Sequence, residues 1–304
     1  MRHSLLTLLT LLAALVTAAT TSPAHAYLCS RVPDTDGIES GASLSWNTRA
    51  LTYSLNRHGT IDIVTDQELD ELRASFEVWE NNNTPNRSPC SSSSYPTDLT
   101  FTEADELTSN SIVGYDFLYP DNNENLLVFH DSHWPHPGQG GVIIALTTNT
   151  YNALTGELFD ADIEFNSFNF DFTTRSTTPI QTDLMNTAVH EIGHMLGLGH
   201  SGTPASTMYA QADNGDTNKR DLACDDVEGI YFKYAAGNAN GYCAVTNESC
   251  GFCAPPGQLT STTAIHVTDE DPTSTSGCQC SGGEAPWLAM GLLLGIFKRR
   301  RRRA

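Results

Sequence analysis

Three histidines and a glutamate stand at a spacing that can do chemistry: His190-Glu191-Ile192-Gly193-His194-Met195-Leu196-Gly197-Leu198-Gly199-His200. Side chains four apart on a helix share a face, so His190 and His194 can present two imidazole nitrogens to one tetrahedral ion at about 2.0–2.1 Å each. Gly197 lets the chain leave the helix through a sharp turn, which returns His200 to the same ion. Three neutral histidines leave zinc doubly charged with one position open, whereas a structural site would fill that position with protein. Glu191 follows the first ligand directly, so its carboxylate reaches the space beside the ion rather than the ion itself. There it can take a proton from water attacking a peptide carbonyl and pass it to the leaving amine, while zinc polarises the carbonyl.

These side chains need a helix and a sheet to position them. Thr182-Asp183 predicts a helix cap, and Leu184, Ala188, Ile192, Met195 and Leu196 recur on one face until Gly197. Upstream, Leu51 to Asn56 alternates as a strand does. Thr65-Asp66-Gln67-Glu68 then opens an amphipathic helix through Leu69, Leu72, Phe76 and Trp79, which Asn81-Asn82-Asn83 ends. Strands are expected at Asp98 to Thr102, Asn125 to Phe129, Val142 to Thr147 and Asp160 to Asn166, and another helix from Asp225 to near Ala236. Several strands after one helix predict an α+β chain, a mixed sheet with helix against one face.

The stretch His190 to His200 matches the metzincin signature HExxHxxGxxH at every specified position, and Met208 follows eight residues later, where metzincins place the Met-turn. Ser201, Thr207-Met208-Tyr209 and Leu222 to Tyr234 resemble the matrixins among them. The resemblance implies a metzincin (zincin-like) fold: a mixed twisted sheet with an antiparallel edge strand, an active-site helix, a Met-turn and a C-terminal helix. It implies His190, His194 and His200 as zinc ligands, Glu191 as general base, Met208 as hydrophobic floor and Tyr209 in the wall of the substrate pocket. Asp225 and Asp226 would tie the last helix to the Met-turn. Val142 to Thr147 stands where the family keeps its edge strand, which puts Ile144, Ala145 and Leu146 beside an extended substrate. Animal matrixins also hold a second zinc and calcium. Here His130, His133 and His136 lack that zinc spacing and read as exposed loop histidines sooner than as a second zinc site, while Asp160 to Asn166 reads as a strand with one wet face sooner than as calcium ligands.

The 304 residues carry a formal charge of −20, which excludes a generic nucleic-acid binder. Charge is divided unevenly, because the stretch from Tyr27 to Ser276 holds nine basic against 35 acidic residues, near −26, while Lys298 to Arg303 is a basic block. Residues 1–26 read as a signal peptide, with Arg2, an apolar run from Leu5 to Ala19, and Ala24-His25-Ala26 before a signal-peptidase cut. Residues 27–236 form the expected catalytic domain and 237–276 a Cys-containing, Thr/Ser-rich spacer that should be disordered. Residues 277–304, with Cys278-x-Cys280, an apolar run and terminal arginines, resemble the tripartite MYXO-CTERM sorting signal. That resemblance implies membrane association, processing by a sorting protease and display at the cell surface or outer membrane.

Six cysteines outside that tail, an even number in an exported chain, predict disulfides. Cys29 with Cys90, and Cys224 with one of Cys243, Cys250 and Cys253, are the expected pairs. Cys29-Ser30-Arg31-Val32-Pro33-Asp34 also echoes the cysteine switch by which matrixin propeptides cap zinc, with one residue too many. Taken together, the sequence predicts a monomeric, exported zinc endopeptidase acting on proteins or peptides. The alternative is a metzincin-like surface binding or adhesion module, which has no need of Glu191.

Overall fold

The computed structural model describes residues 27–35, 37, 39–81, 90, 96–138 and 141–237, with the backbone of 264–268. The expected signal peptide, the expected terminal sorting segment, most of the expected spacer, and Cys243, Cys250, Cys253, Cys278 and Cys280 lie outside these. No helix among the described residues is long and apolar enough to cross a membrane.

The main sheet contains β1 (Ala50–Leu55), β2 (Thr100–Glu103), β3 (Leu126–Phe129), β4 (Ala145–Asn152), β5 (Leu158–Phe165) and β6 (Ala264–Thr268), in spatial order β6-β4-β5-β3-β1-β2. β1, β2, β3 and β5 pair in parallel, and β4 lies antiparallel to β5, with Thr147 opposite Ile163. One face is apolar: Leu51, Tyr53 and Leu55 of β1 and Ala161, Ile163 and Phe165 of β5 join α1 (Gln67–Asn81) and α2 (Leu184–Met195) in one core. The Tyr53 ring stacks on Phe76 of α1 at 3.8 Å between centroids. Helix α3 (Cys224–Tyr234) follows the site. This is the expected α+β architecture with an antiparallel strand beyond the parallel ones.

Four expectations are corrected. The edge strand is Ala145–Asn152 rather than Val142 to Thr147: Val142 is exposed, and the strand continues through Thr147-Thr-Asn-Thr-Tyr-Asn152, all buried. A strand covered on both faces shows no polar and apolar alternation, so its polar half was invisible to periodicity.

The acids of β5 do not face water. Asp160, Asp162 and Glu164 are buried under the connection that leads into β3 and the loop that follows it. Asp162 accepts from the N–H groups of Gly114 at 2.6 Å and Leu126 at 2.9 Å. Glu164 accepts from His130 at 2.7 Å and His136 at 2.9 Å, so these two loop histidines are held on the sheet.

Cys90 is bonded to Cys224 at the start of α3, across 134 residues, and not to Cys29. Cys29 is buried on a short strand paired with Leu198, beside the end of α2. Counting cysteines cannot tell which two backbones approach, and here the Cα atoms of Cys90 and Cys224 lie 5.2 Å apart. Finally, part of the expected spacer forms β6, antiparallel to β4 with Ala264 opposite Asn152 and Thr268 opposite Thr148. Ile265, Val267 and Thr268 are β-branched, and an open sheet edge offers backbone partners to such a segment.

Candidate metal centre

Helix α2 starts at Asp183, whose carboxylate accepts from the N–H of Asn186 at 2.8 Å and pairs with Arg220, Nε to Oδ1 at 2.9 Å. The other end of the helix is buried, and buried helix carbonyls need donors. Those donors come from distant chain: the Trp46 indole N–H donates to Met195 O at 2.8 Å, the Tyr234 hydroxyl to Leu196 O at 3.0 Å, and Asn149 Nδ2 to His194 O at 3.2 Å. Gly197 then turns the chain with φ +78°, and a Cβ there would lie 2.3 Å from Leu44 O. Both the dihedral angle and the space demand glycine.

This turn brings His200 to the helix. His194 Nε2 lies 3.2 Å from His190 Nε2 and 3.2 Å from His200 Nε2. His190 Nδ1 sits 2.6 Å from Thr207 O and His194 Nδ1 2.8 Å from Leu198 O. A carbonyl only accepts, so each Nδ1 carries the proton and each Nε2 presents a lone pair. The 3.2 Å approach of His190 to His194 is therefore two lone pairs facing one another, which a cation between them would stabilise. Two nitrogens about 2.05 Å from one tetrahedral ion stand about 3.3 Å apart, so the donor set fits zinc. Burial lowers the pKa of His190 well below the ordinary histidine value and that of His194 to about 4, which keeps both imidazoles neutral. Among the described residues this is the one cluster of three or more such groups with ligand atoms close enough to share an ion.

The floor is built by Met208 and Asp226. A Cβ on Gly193 would fall 2.2 Å from Met208 Sδ, so glycine in mid-helix is what lets the thioether approach α2. Asp226, 1% exposed, accepts from the N–H groups of Thr207 at 2.7 Å, Met208 at 3.0 Å and Ala223 at 2.8 Å. Asp225 accepts from the Ser201 hydroxyl at 2.6 Å, directly after the third histidine.

Of the other residues singled out from sequence, Glu191 is buried and its Oε2 accepts from Thr147 Oγ1 at 2.7 Å. Ala145 opens β4 opposite Phe165, Leu146 is buried opposite Glu164, and Ile144 lies just before the strand, where its carbonyl accepts from Asn166 N at 2.9 Å. Tyr209 is half-buried and bridges to Ser201. Sequence reasoning missed Lys219, which is 5% exposed, donates to Tyr209 O and has its Nζ 3.5 Å from His190 Nδ1. Burial lowers its pKa to about 8. It also missed Thr147 and Asn149, two polar side chains on the helix-facing side of β4.

A family model for the matrixins matches residues 45–235, which span β1 to β5 of the sheet, the three histidines and α3. The chain belongs to the matrixin family. Relatives of this matrixin include metalloendoproteinase 1-MMP of Arabidopsis thaliana, 27% identical over 191 residues that cover 62% of this chain and 44% of the relative. Metalloendoproteinase 2-MMP of the same plant is 55% identical over 60 residues, 19% of this chain and 16% of the relative. Human matrix metalloproteinase-25 is 35% identical over 108 residues, 35% of this chain and 18% of the relative. The chain thus spans less than half the length of each of these proteins. Matrixins use zinc, and the histidine triad of this member has the geometry and protonation to hold it.

Proposed function

We propose that this matrixin is a zinc-dependent endopeptidase that hydrolyses peptide bonds of extracellular proteins. One observation carries the reading: three imidazoles converge on one point while the residue after the first of them is a buried glutamate whose carboxylate accepts a hydrogen bond from Thr147. When bound, zinc supplies Lewis acidity to the scissile carbonyl and to the attacking water. His190, His194 and His200 would hold it, with Thr207 O and Leu198 O keeping the first two on the correct tautomer. Glu191 accepts the proton of the attacking water and delivers it to the leaving amine. An extended substrate adds to the β4 edge at Ala145 to Thr147, the part of that edge nearest Glu191 and outside the register that β6 occupies. Ala145 and Leu146 contribute backbone there, and Ile144 and Tyr209 flank the pocket.

The leader read in residues 1–26 and the sorting segment read in 277–304 support export, signal-peptidase cleavage and retention at the surface, with the acidic body outside the cell. The reading is tested by cleavage of casein or gelatin by the purified chain. Zinc binding at one ion per chain is expected, with hydrolysis abolished by a chelator and lowered at least 100-fold by Glu191→Ala, which retains the metal. Zinc bound without hydrolysis of a broad peptide library would instead indicate a binding module.

A further inference from the structure

β4 does more than border the site. Thr147 lies on its helix-facing side, 1% exposed, and its hydroxyl is 2.7 Å from Glu191 Oε2 and 3.1 Å from Glu191 O. A hydroxyl has one proton, so it serves one acceptor at a time, and the shorter bond to the carboxylate is the stronger. Two residues along the same face, Asn149 donates to His194 O. The edge strand is thus joined by buried polar bonds to the turn of α2 that carries the glutamate and the second histidine.

We propose that Thr147 is a positioning residue that fixes the Glu191 carboxylate for proton transfer and couples its orientation to the strand edge where substrate docks. Glutamate has three side-chain torsions, and nothing in helix geometry selects the one that directs an oxygen beside the metal. Thr147 selects it, because a β-branched side chain in a strand has little rotational freedom and its backbone is pinned opposite Ile163. With Oε2 held by the hydroxyl, Oε1 would be the oxygen that accepts the proton of the attacking water. Valine keeps the shape and β-branching of threonine but removes the donor. Serine restores the donor with a freer torsion.

This inference rests on the endopeptidase reading, and the experiment separates the two. Steady-state hydrolysis of a fluorogenic peptide is measured for the full chain, Thr147→Val and Thr147→Ser, with zinc affinity determined in parallel by competition against a chromogenic chelator. Loss of a hydrogen bond to a charged group predicts roughly ten-fold lower kcat for Thr147→Val, with KM and zinc affinity within about two-fold of wild type. Thr147→Ser should recover most of kcat. Wild-type kcat in Thr147→Val overturns the proposal. So does a fall in kcat that serine does not rescue, or one that tracks a loss of zinc affinity, because either outcome assigns Thr147 to packing. A wild-type chain that binds zinc and cleaves nothing defeats the endopeptidase reading itself, and the proposal with it.

Discussion

Asp226 shows how a single side chain can define the floor of a candidate metal site. Its carboxylate accepts three backbone N–H groups, two from the Met-turn and one from the start of α3. Burial raises its pKa, against the three hydrogen bonds that favour the charged form. The bonds also reach the proposed metal ligands indirectly, since Thr207, whose N–H Asp226 holds, uses its own carbonyl to orient His190. Asp226→Ala would leave those donors buried and unpaired, at a cost on the order of 3 kcal/mol. Thermal unfolding should show the loss, and chelator competition should show weaker zinc binding. Unchanged zinc affinity would mean that His190 is oriented without the Met-turn.

At the scale of elements, α2 illustrates two effects of opposite sign. Glycine in the middle of a helix is less favourable than alanine by about 1 kcal/mol, so propensity alone predicts that Gly193→Ala stabilises. Packing predicts otherwise, because the new Cβ would lie 2.2 Å from Met208 Sδ and 3.0 Å from Trp79. Trp79 cannot retreat easily: it is fully buried and its indole N–H donates to Val189 O at 2.8 Å on the same helix. Overpacking of this kind costs about 1–3 kcal/mol, which outweighs the propensity gain. Gly193→Ala should therefore lower the unfolding midpoint and weaken zinc binding by displacing Met208, measured by calorimetry and chelator competition. A more stable variant with wild-type metal affinity would mean that the thioether moves aside freely.

Across the whole molecule, the acidity is not only a surface property. Asp160 and Asp162 lie on one face of β5, 2% and 1% exposed. Burial raises the pKa of both, with the charge of Asp162 adding to Asp160, and those of Glu164 and Glu124 adding to Asp162 against the two N–H groups it accepts. In the unfolded chain these groups release protons near 3.9. The folded state therefore holds protons that the unfolded state has lost. Its stability from this pair is full below that pH and declines as pH rises into the neutral range. Asp160→Asn removes one of the two titrations. The difference in unfolding midpoint between variant and wild type should grow in the variant's favour from pH 4 to pH 8. A difference independent of pH would show that the pair is ionised throughout.

The signature from His190 to His200 was legible because it is local: i,i+4 spacing on a helix and a glycine that ends it are properties of eleven consecutive residues. The same holds for α1, whose apolar period is regular, and for the existence of most strands. Other features joined residues that no local pattern connects. Thr147 meets Glu191 across 44 positions, His130 and His136 meet Glu164 across 34 and 28, and Cys90 meets Cys224 across 134. Polar residues on strands covered from both sides carry no periodic mark of their burial, and a cysteine carries no mark of its partner. The sequence by itself determined which residues could hold a metal and take a proton, since that depends on side-chain type and helical geometry. Only the tertiary structure decided what orients them, because a hydrogen bond acts over about 3 Å and depends on which distant strands and loops the shared core brings that close.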